Sequence, residues 1–452
     1  MKTIFVTIAG SQLVRNFFHG GVIKQLLDRG FRVVVLTPHY KNNELFREFE
    51  HENLFFEPLI PTPRLRFREI ISELCRGSVF NETVHFLYRY HLTGERKPNM
   101  LYYPFRLIFF APLRFLPFAK RFIRFIDEKL NPEMQHDYLF KKYNPSILLN
   151  TAACRDFGLI KSAKRYNIFS VDMPKSWDNL SKLLFYTKAD YLIVWSLFMR
   201  EQALKFQGYK DREIFVVGVP QFDFYSKKEN LLTKEKFCQI HGLDPDKKII
   251  MYASMGGIPG DEASYIELIR NQIINGKLAN AQIFIRPHPN YRHQLDRFAR
   301  LELHDGVVID AYSKQKEENR DSWNMSKKHF QNLFSSLYYA DVCVNFASTA
   351  TLDAVVCGTP VINIKFDIEI DPEVYIPTQK FYKLDYVKAI LKPGGTWVAE
   401  SEEEFKMALQ DILISGKKKD TRRLTKEFIY KNDGKSAERI ANTLVDILET
   451  RK

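Results

Sequence analysis

The sequence predicts an α/β protein with two parallel sheets, each flanked by helices. Short apolar segments alternate with segments of helical periodicity in both halves of the 452-residue chain, which is the pattern of doubly wound sheets. The alternation breaks after 214–217, where the chain turns from apolar to charged, and it resumes at 248–253. A chain of this length is also too long for one ordinary hydrophobic core. We therefore expect two similar halves that face each other across a cleft.

The first half opens with an apolar strand, IFVTIAG, followed by a helix near 15–29 that ends at Gly30. Phe18, Val22 and Leu26 have helical spacing and are expected to face the sheet. The remaining strands predicted for this half lie at 32–36, 146–149, 168–171, 191–194 and 214–217.

Residues 61–144 interrupt this pattern and predict a mostly helical insertion. Between 101 and 126 the insertion has five basic residues and no acid among its Leu, Tyr, Phe and Pro residues. Phe and Leu there can enter a lipid headgroup layer while the basic side chains meet anionic lipid. A buried helix pair with snorkelling arginines is the alternative. The basic residues are Arg106, Arg114, Lys120, Arg121 and Arg124.

The second half is predicted to begin with a helix from Lys234 and to end with an amphipathic helix over 436–449. The polar stretch 311–332 is expected to be a long loop or a poorly ordered flap. The strands predicted for this half lie at 248–253, 282–285, 307–309, 342–346 and 361–364. These elements divide the chain into a first domain (1–228), a second domain (229–427) and a closing segment (428–452) with the last helix.

The amino-acid composition limits the kinds of molecule that this protein is expected to bind. The net charge of +13 favours acidic partners, namely nucleotides, anionic lipid or nucleic acid. Nucleic acid is disfavoured because the sequence has no helix-turn-helix, zinc or RNA-binding signature. The five scattered cysteines suggest reduced thiols of a cytoplasmic protein. No apolar segment reaches the ~18–20 residues of a membrane span, which predicts a soluble or peripheral protein.

A candidate phosphate site lies in the segment DVCVNFASTATLDAVVCGTPVINI, residues 341–364. Ser348 and Thr349 stand where a buried strand ends and a helix begins, so hydroxyls and backbone N–H groups meet the positive end of a helix dipole. Asp353 follows one helical turn later on the same face, where it can accept hydrogen bonds from ribose hydroxyls. An ordinary capped strand–helix unit is the alternative.

A second cluster follows the apolar strand at 282–285. Arg286 and His288 stand in the sequence RPHP, which places both side chains beyond the carboxyl end of a parallel strand. Arg offers a two-pronged donor for phosphate, and His can donate or carry positive charge. Gly256 and Gly257, after the strand at 248–253, would let the backbone approach a phosphate closely. A plain loop is the alternative for the two glycines.

These motifs together resemble those of the GT-B glycosyltransferases. Within that fold they are most similar to CDP-glycerol glycerophosphotransferases of teichoic acid synthesis and to capsule and polysialyl transferases. The His-Pro motif of that group resembles His288-Pro289, and its Ser-Ser/Thr motif resembles Ser348-Thr349. The segment YKNDGKSAERIANTLVDIL resembles its C-terminal helix, which returns to the first domain. The resemblance covers about 245–448, whereas the first domain matches only in layout.

The resemblance implies two Rossmann-like domains, an acceptor domain followed by a nucleotide-donor domain. It also implies an inverting, metal-independent transfer from a nucleotide-activated donor to a hydroxyl, with the donor as substrate and no separate cofactor. We expect a sugar to be transferred to a glycan or lipid-linked acceptor in surface polysaccharide synthesis at or near the inner face of the plasma membrane. The alternatives are a polyol-phosphate transferase using CDP-glycerol and a sugar-nucleotide 2-epimerase.

The catalytic base is expected in the first domain, where it would take the proton of the acceptor hydroxyl. Three candidates remain open: His19 near the first helix, Asp156 after the strand at 146–149, and Asp178 after the strand at 168–171. The loop VDMPKSWDNL adds possible acceptor-binding groups, and an indole there could stack on a sugar or anchor the loop. These groups are Lys175, Trp177 and Asn179.

Overall fold

A computed structural model describes residues 1–42, 46–62, 66–90, 102–151, 157–256, 261–301, 304–314, 326–368 and 376–450. The chain divides into two compact units. The first comprises Met1–Tyr88, Met100–Ser226 and Lys426–Lys452, and the second consists mainly of Lys227–Thr425. Each unit is a parallel sheet with helices, which confirms the predicted fold class.

The first unit has, within the described residues, a seven-stranded sheet in the order β3-β2-β1-β4-β5-β6-β7. Neighbouring strands are parallel throughout. The strand order reverses between β1 and β4, which makes this pair the topological switch point of the sheet. The strands are β1 (Thr3–Thr7), β2 (Arg32–Thr37), β3 (Leu54–Pro58), β4 (Ile147–Asn150), β5 (Phe169–Asp172), β6 (Tyr191–Val194) and β7 (Ile214–Val216).

Helices connect these strands, and the connection from β3 to β4 is the helical insertion. Two helices continue into π-helical turns, at Arg15–His19 and Ala203–Gln207, and a 3-10 turn spans Ala111–Phe115. The helices are α1 (Ser11–Val14), α2 (Val22–Asp28), α3 (Arg66–Ser78), α4 (Glu82–Arg89), α5 (Tyr102–Phe109), α6 (Ala119–Leu130), α7 (Asp137–Tyr143), α8 (Gly158–Arg165), α9 (Leu197–Gln202) and α10 (Pro220–Tyr225).

The second unit has, in the residues that can be described, a six-stranded parallel sheet in the order β10-β9-β8-β11-β12-β13. Its order reverses between β8 and β11. The strands are β8 (Lys248–Ala253), β9 (Ala281–Arg286), β10 (Val307–Ile309), β11 (Val342–Asn345), β12 (Val361–Ile364) and β13 (Trp397–Ala399). The helices are α11 (Lys234–His241), α12 (Glu262–Ile274), α13 (Lys327–Tyr339), α14 (Thr349–Val356), α15 (Thr378–Phe381), α16 (Asp385–Leu391), α17 (Glu402–Leu413) and α18 (Arg422–Leu424).

The last helix, α19 (Ser436–Glu449), belongs to the first unit and contacts α2 and α10. Ile440, Leu444 and Ile447 are buried along one face of this helix. Its amphipathic pattern is thereby explained, because helical spacing brings these side chains to a common stripe.

Three sequence predictions need correction. β3 and β13 were not expected, and both are edge strands of their sheets. The stretch 311–332 is not all loop, because a 3-10 turn covers Ala311–Lys314 and α13 begins at Lys327. The first helix is also interrupted, since α2 starts only after Gly20 and Gly21. No helix in the described ranges is long and apolar enough to cross a bilayer.

Candidate functional site

The two predicted phosphate motifs lie at the same edge of the second sheet. β9 pairs with β8, and β8 pairs with β11, so the carboxyl ends of the three strands are neighbours. Arg286 stands opposite Ala253, and Asn345 follows the pair formed by Val344 and Tyr252. Two strand spacings separate the backbones of Arg286 and Asn345, which corresponds to about 10 Å. This edge is at the switch point, where ligands of open α/β sheets bind.

Arg286 is held by a carboxylate from the neighbouring strand end. Its Nη1 donates to Asp310 Oδ2 at 2.7 Å, and the Arg286 side chain is 11% exposed while that of Asp310 is fully buried. Asp310 follows β10 directly, and β10 pairs with β9. The guanidinium is therefore fixed at the sheet edge by a charge-assisted hydrogen bond.

A buried hydrogen-bond chain lies behind Asp310. The Nδ1 atom of His241 accepts the N–H of Ala311 at 3.3 Å, so Nε2 carries the proton and donates to Asn332 Oδ1 at 2.6 Å. Asn332 Nδ2 then donates to Asp310 Oδ1 at 3.1 Å. Burial lowers the pKa of His241 although Asp310 opposes this, which agrees with a neutral ring. The chain leaves Asp310 little freedom to turn away from Arg286.

His288 follows Arg286 by two residues and is partly buried. Burial lowers its pKa to about 4. At neutral pH the ring is therefore uncharged, so it offers phosphate a single N–H donor. The positive charge at this strand end comes from Arg286.

Ser348 is the N-cap of α14, as the sequence predicts. Its Oγ accepts the N–H of Ala350 at 3.2 Å, and its own N–H and hydroxyl donate to Asn345 Oδ1 at 3.0 and 3.2 Å. The hydroxyl is thus engaged by the cap itself. Thr349, the first residue of the helix, has a partly exposed side chain. The positive end of the α14 dipole consequently lies at the edge that also carries Arg286.

The turn between β11 and α14 is strained and rigid. Ala347 has φ 48°, a left-handed conformation that costs a residue with a Cβ atom roughly 1–2 kcal/mol. Its N–H donates to Asn363 Oδ1 at 3.0 Å, and the buried hydroxyl of Thr351 lies within hydrogen-bond distance of both Asn345 and Asn363. Asn363 Nδ2 in turn donates to Thr396 at 3.0 Å. Strain held in place by a buried network is typical of a functional turn.

Asp353 lies one turn into α14, and only 6% of it is exposed. Its charge adds to the effect of burial in raising the pKa of Cys343 and Cys357. The ribose-binding role expected for this carboxylate stays a prediction.

A buried glutamate organises the loop after β8. Glu262, at the start of α12, accepts the N–H of Met255 at 2.9 Å and the hydroxyl of Ser254 at 2.7 Å, while the N–H of Gly256 donates to Ser254 Oγ at 3.2 Å. Arg297 Nη1 contacts the same carboxylate at 3.0 Å. Gly256 has φ 87°, which explains the glycine. Gly257 lies outside the described residues.

Sequence reasoning missed Asp310, Glu262, Asn345 and Asn363. Asn345 ends β11, Asp310 directly follows β10, and Asn363 is the next-to-last residue of β12. A position near the carboxyl end of a strand was therefore an available signal. The signal for Glu262 was weaker, namely an acidic residue in the first turn of a helix. Within the described ranges, no three His, Cys, Asp or Glu side chains are grouped as metal ligands.

The predicted base candidates occupy different environments in the first unit. Burial raises the pKa of Asp178, but the ion pair with Lys182 outweighs it and leaves the pKa below its ordinary value. The side chain of His19 is 3% exposed, and its Nε2 lies 3.8 Å from Glu48. Asp156 lies outside the described residues. A lowered pKa weakens Asp178 as a proton acceptor near neutral pH.

The predicted acceptor-binding loop is more tightly packed than expected. Trp177 is 2% exposed, and its ring packs against Phe198 and Phe428 at centroid distances of 6.3 and 5.8 Å. Asn179 Oδ1 accepts the N–H of Ser176 at 3.1 Å, which closes the loop. This packing agrees with the loop-anchor alternative, and the acceptor-binding role of the loop stays a prediction. Lys175 is half-buried.

A polar row follows the carboxyl edge of the first sheet. Thr7, Asn150 and Asp172 end β1, β4 and β5, and all three are fully buried. Thr7 Oγ1 donates to Asn150 Oδ1 at 3.2 Å, and Asn150 Nδ2 donates to Asp172 Oδ1 at 3.0 Å. This row lies at the switch point of its sheet.

The helical insertion exposes many large apolar side chains. We call the following residues the aromatic surface, and all belong to α5, α6 or the segment between them. They are Tyr102, Phe105, Ile108, Phe109, Phe115, Phe118, Phe122 and Phe125, exposed by 49% to 72%. So many exposed large apolar side chains within one short segment are typical of a surface that binds a partner.

The basic side chains of the insertion divide into two groups. Arg114 and Arg121 are exposed beside the aromatic surface, as expected for contact with anionic lipid. Arg106 instead pairs with Glu73 at 3.2 Å, and Lys120 donates to the carbonyl of Lys205 at 3.1 Å. Arg124 donates to the carbonyls of Phe185 and Gln207, both at 3.0 Å. Three of the five cations are therefore engaged within the first unit, and contact of the insertion with lipid stays a prediction.

The family of CDP-Glycerol:Poly(glycerophosphate) glycerophosphotransferases matches residues 167–446. This range contains the whole sheet of the second unit, with both phosphate motifs. The chain belongs to this family. The resemblance noted from the motifs is confirmed, and so is the prediction of a transferase. A comparison with curated proteins finds no match.

Solved structures share the architecture of this family member. A UDP-GlcNAc 2-epimerase from Methanocaldococcus jannaschii is 11% identical with a TM-score of 0.55, and coverage is 99% of this chain and 100% of the other. An epimerase from Neisseria meningitidis bound to UDP-GlcNAc is 12% identical with a TM-score of 0.56 (99% and 100%). A glycosyltransferase from Rickettsia africae is 12% identical with a TM-score of 0.52 (99% and 98%). At these identities the likeness shows the fold, and the predicted GT-B architecture is confirmed.

Proposed function

We propose that this family member transfers a sugar from a nucleotide-activated donor to a hydroxyl of a glycan acceptor, without a metal held by the protein. The donor diphosphate would bind at the carboxyl edge of the second sheet. Arg286 supplies the charge, His288 and Thr349 supply donors, and the α14 N-terminus supplies the dipole. The ribose would meet Asp353, and the backbone at Gly256 would approach the phosphates.

The observation that carries this proposal is the Arg286–Asp310 pair. A guanidinium anchored at 2.7 Å by a buried carboxylate keeps one orientation, and its remaining N–H groups are donors that a phosphate can use. In the developing transition state, the negative charge on the leaving phosphate would be stabilised by this fixed charge. Since the guanidinium is already oriented, little free energy is lost to reorganisation when the donor binds.

Thermal unfolding of the full chain tests the binding step. CMP, CDP, UDP, GDP, CDP-glycerol and UDP-GlcNAc are compared, because a ligand that binds only the native state raises Tm with occupancy. We expect at least one diphosphate to raise Tm in the native chain. His288→Ala and Arg286→Ala should retain a folded protein but lose most of that rise. If none of these ligands shifts Tm, the proposed donor site is contradicted.

A second candidate is transfer of glycerol phosphate, which the family match favours. The two reactions differ in their leaving group. Attack on the sugar carbon of UDP-GlcNAc releases UDP, whereas attack on the distal phosphorus of CDP-glycerol releases CMP. Chromatography of the nucleotide released with each donor, in the presence of poly(glycerophosphate) or a glycolipid acceptor, therefore distinguishes them. A sugar epimer or free sugar formed without acceptor would instead favour an epimerase or hydrolase.

Normal turnover by the His288→Ala variant would contradict the proposed donor site itself.

We further propose that the aromatic surface binds an anionic bilayer, which would place the enzyme beside a lipid-linked acceptor at the inner face of the plasma membrane. Phe118, the N-cap of α6, and Phe122 and Phe125 within the helix are all exposed at helical spacing, while Ile123 is buried. Such exposed rings can enter the headgroup layer. Arg114 lies 4.4 Å from the ring of Phe115, so charge and apolar contact occur together.

Flotation with vesicles of phosphatidylglycerol and phosphatidylcholine tests this surface. Arg114→Glu with Arg121→Glu, and separately Phe118→Ser with Phe122→Ser, should each reduce the bound fraction several-fold. Lys388→Glu with Lys392→Glu makes the same charge change at exposed residues of the second unit and is the control. Arg124 is avoided because it supports two backbone carbonyls. Equal binding of all variants would contradict the proposal.

A further inference from the structure

In the polar row at the carboxyl edge of the first sheet, the hydrogen bonding of Asp172 is incomplete. Asp172 Oδ1 receives the amide of Asn150 at 3.0 Å. Asp172 Oδ2 is buried and has no hydrogen-bond partner among the described residues. A buried polar oxygen without a partner is costly, and native proteins seldom keep one without a reason.

The position of Asp172 matches that of a ligand-binding group. Register pairs Asp172 with Asn150 at the ends of β5 and β4, beside Thr7 at the end of β1. The three side chains therefore line the switch point of the first sheet, beyond which open α/β sheets bind ligands. Thr7 and Asn150 satisfy each other, so Asp172 Oδ2 is the atom of this row that is left for a ligand.

The protonation of Asp172 suits transfer of a proton near neutral pH. Burial raises its pKa to about 7, although the hydrogen bond from Asn150 acts in the opposite direction. The titratable group that interacts with it, within the described ranges, is the phenol of Tyr209, which is itself buried and neutral. A general base is most effective when its pKa lies near the working pH.

We propose that Asp172 is the general base for the acceptor hydroxyl, which binds against Asp172 Oδ2 with Asn150 as the positioning residue. The inference rests on the proposed function, because it assigns the acceptor side of the same transfer. The proton of the hydroxyl moves to Oδ2, and the acceptor oxygen forms its bond to the activated atom of the donor. The bond from that atom to the leaving nucleotide breaks, and the nucleotide keeps the electron pair. The acceptor is thus a polyol or sugar with a free hydroxyl.

Asp172 differs from the candidates that the sequence suggests. Asp178 is paired with Lys182, and its pKa is lowered. His19 has a carboxylate at 3.8 Å and aromatic neighbours. Asp172 combines an oxygen that has no hydrogen-bond partner among the described residues with a strand end next to the switch point.

Asp172→Asn tests the inference, because the amide keeps the shape of the carboxyl but accepts no proton at that site. Nucleotide release is measured from pH 5 to 9 with the donor that raises Tm, and with poly(glycerophosphate) or a glycolipid as acceptor. Wild-type kcat/KM should rise with pH to a plateau above about pH 7. The variant should lose at least 100-fold in kcat, show no such rise, and retain the donor-induced change in Tm.

Two further variants keep the inference falsifiable. Asp190→Asn is the control, because Asp190 hydrogen-bonds Ser170 near the opposite end of β5, and its activity should stay near wild type. Asn150→Leu removes the hydrogen bond that lowers the pKa of Asp172, so the midpoint of its pH profile should move to higher pH. An unchanged rate and profile in Asp172→Asn would overturn the inference while leaving donor binding intact. Absence of donor binding in wild type would instead contradict the proposed function.

Discussion

The carboxylate of Asp223 caps a helix that begins more than two hundred residues later. Its Oδ2 accepts the N–H of Ala437 at 2.7 Å, and its Oδ1 accepts the N–H of Ser436 at 3.0 Å. The two free N–H groups at the start of α19 are thereby satisfied by a side chain of α10. A carboxylate at this end also interacts favourably with the helix dipole.

We expect Asp223→Ala to destabilise the protein by about 1–2 kcal/mol, because cap and dipole interactions are lost together. The free energy of unfolding in urea measures this. Asp28→Ala on α2 removes an exposed i,i+4 ion pair with Lys24 and should cost no more than about 0.5 kcal/mol. Equal values for the two variants would show that the cap contributes nothing.

A buried ion cluster attaches the insertion to the first sheet. Lys161 on α8 lies 2.7 Å from Asp127 on α6 and 3.4 Å from Glu133, and its side chain is 1% exposed. Lys161→Met leaves the buried carboxylate of Asp127 without its cation, whereas Glu133 keeps its ion pair with Arg68 at 2.7 Å. We therefore expect a loss of about 3–5 kcal/mol in the free energy of unfolding.

Lys164→Met, one turn along the same helix, is the matched control. Its ammonium lies 3.6 Å from Glu128, and its side chain is 35% exposed. A surface pair of this kind is worth about 0–1 kcal/mol. If both variants unfold at the same urea concentration, the cluster is not a stabilising attachment.

Asp310→Asn should weaken nucleotide binding, because Arg286 loses the charge that orients it. We expect the Kd of the donor-site nucleotide, measured by isothermal titration calorimetry, to rise about tenfold, which is about 1.4 kcal/mol. Asp305→Asn changes an exposed residue on the same connection between β9 and β10 and should bind like wild type. Unchanged affinity in Asp310→Asn would mean that Arg286 needs no orientation from its neighbour.

The stability of the protein should depend on Asp172 in a defined pH range. Its pKa is about 7 in the native state and ordinarily 3.8, so the native state keeps a proton that the unfolded chain has lost. This contribution is fully present below about pH 4 and declines as pH rises through 7, by at most about 4 kcal/mol. Asp172→Asn should therefore be close to neutral at pH 4 and stabilising at pH 8 in urea unfolding. A variant that is equally destabilised at both pH values would contradict the raised pKa.

The interior of both sheets could be predicted because central parallel strands are continuous apolar runs. β3 could not, since four of its five residues are partly or fully exposed at the sheet edge and its sequence shows no such run. β13 is likewise an edge strand, and two of its three residues are partly exposed. Burial at an edge depends on the neighbouring strand, and that information is not local in sequence.

In the candidate site, too, some features could be predicted from the sequence and others could not. The motifs that contain Arg286 and Ser348 stand at the ends of strands. Apolar runs in the sequence predict where those strands end. The partner of Arg286 could not be predicted from the sequence, because Asp310 comes close to Arg286 only when β9 pairs with β10. The orientation of Arg124 likewise depends on carbonyls of Phe185 and Gln207, which lie more than sixty residues away.

The left-handed backbone at Ala347 reverses the usual effect of glycine. In most positions a change from Ala to Gly loosens the chain, whereas here it would remove a steric penalty of roughly 1 kcal/mol that the β11–α14 turn carries. A β-branched replacement would increase that penalty. Mutational tolerance at this position should therefore follow Gly first, Ala next and Val last, the opposite of the order found in ordinary strands.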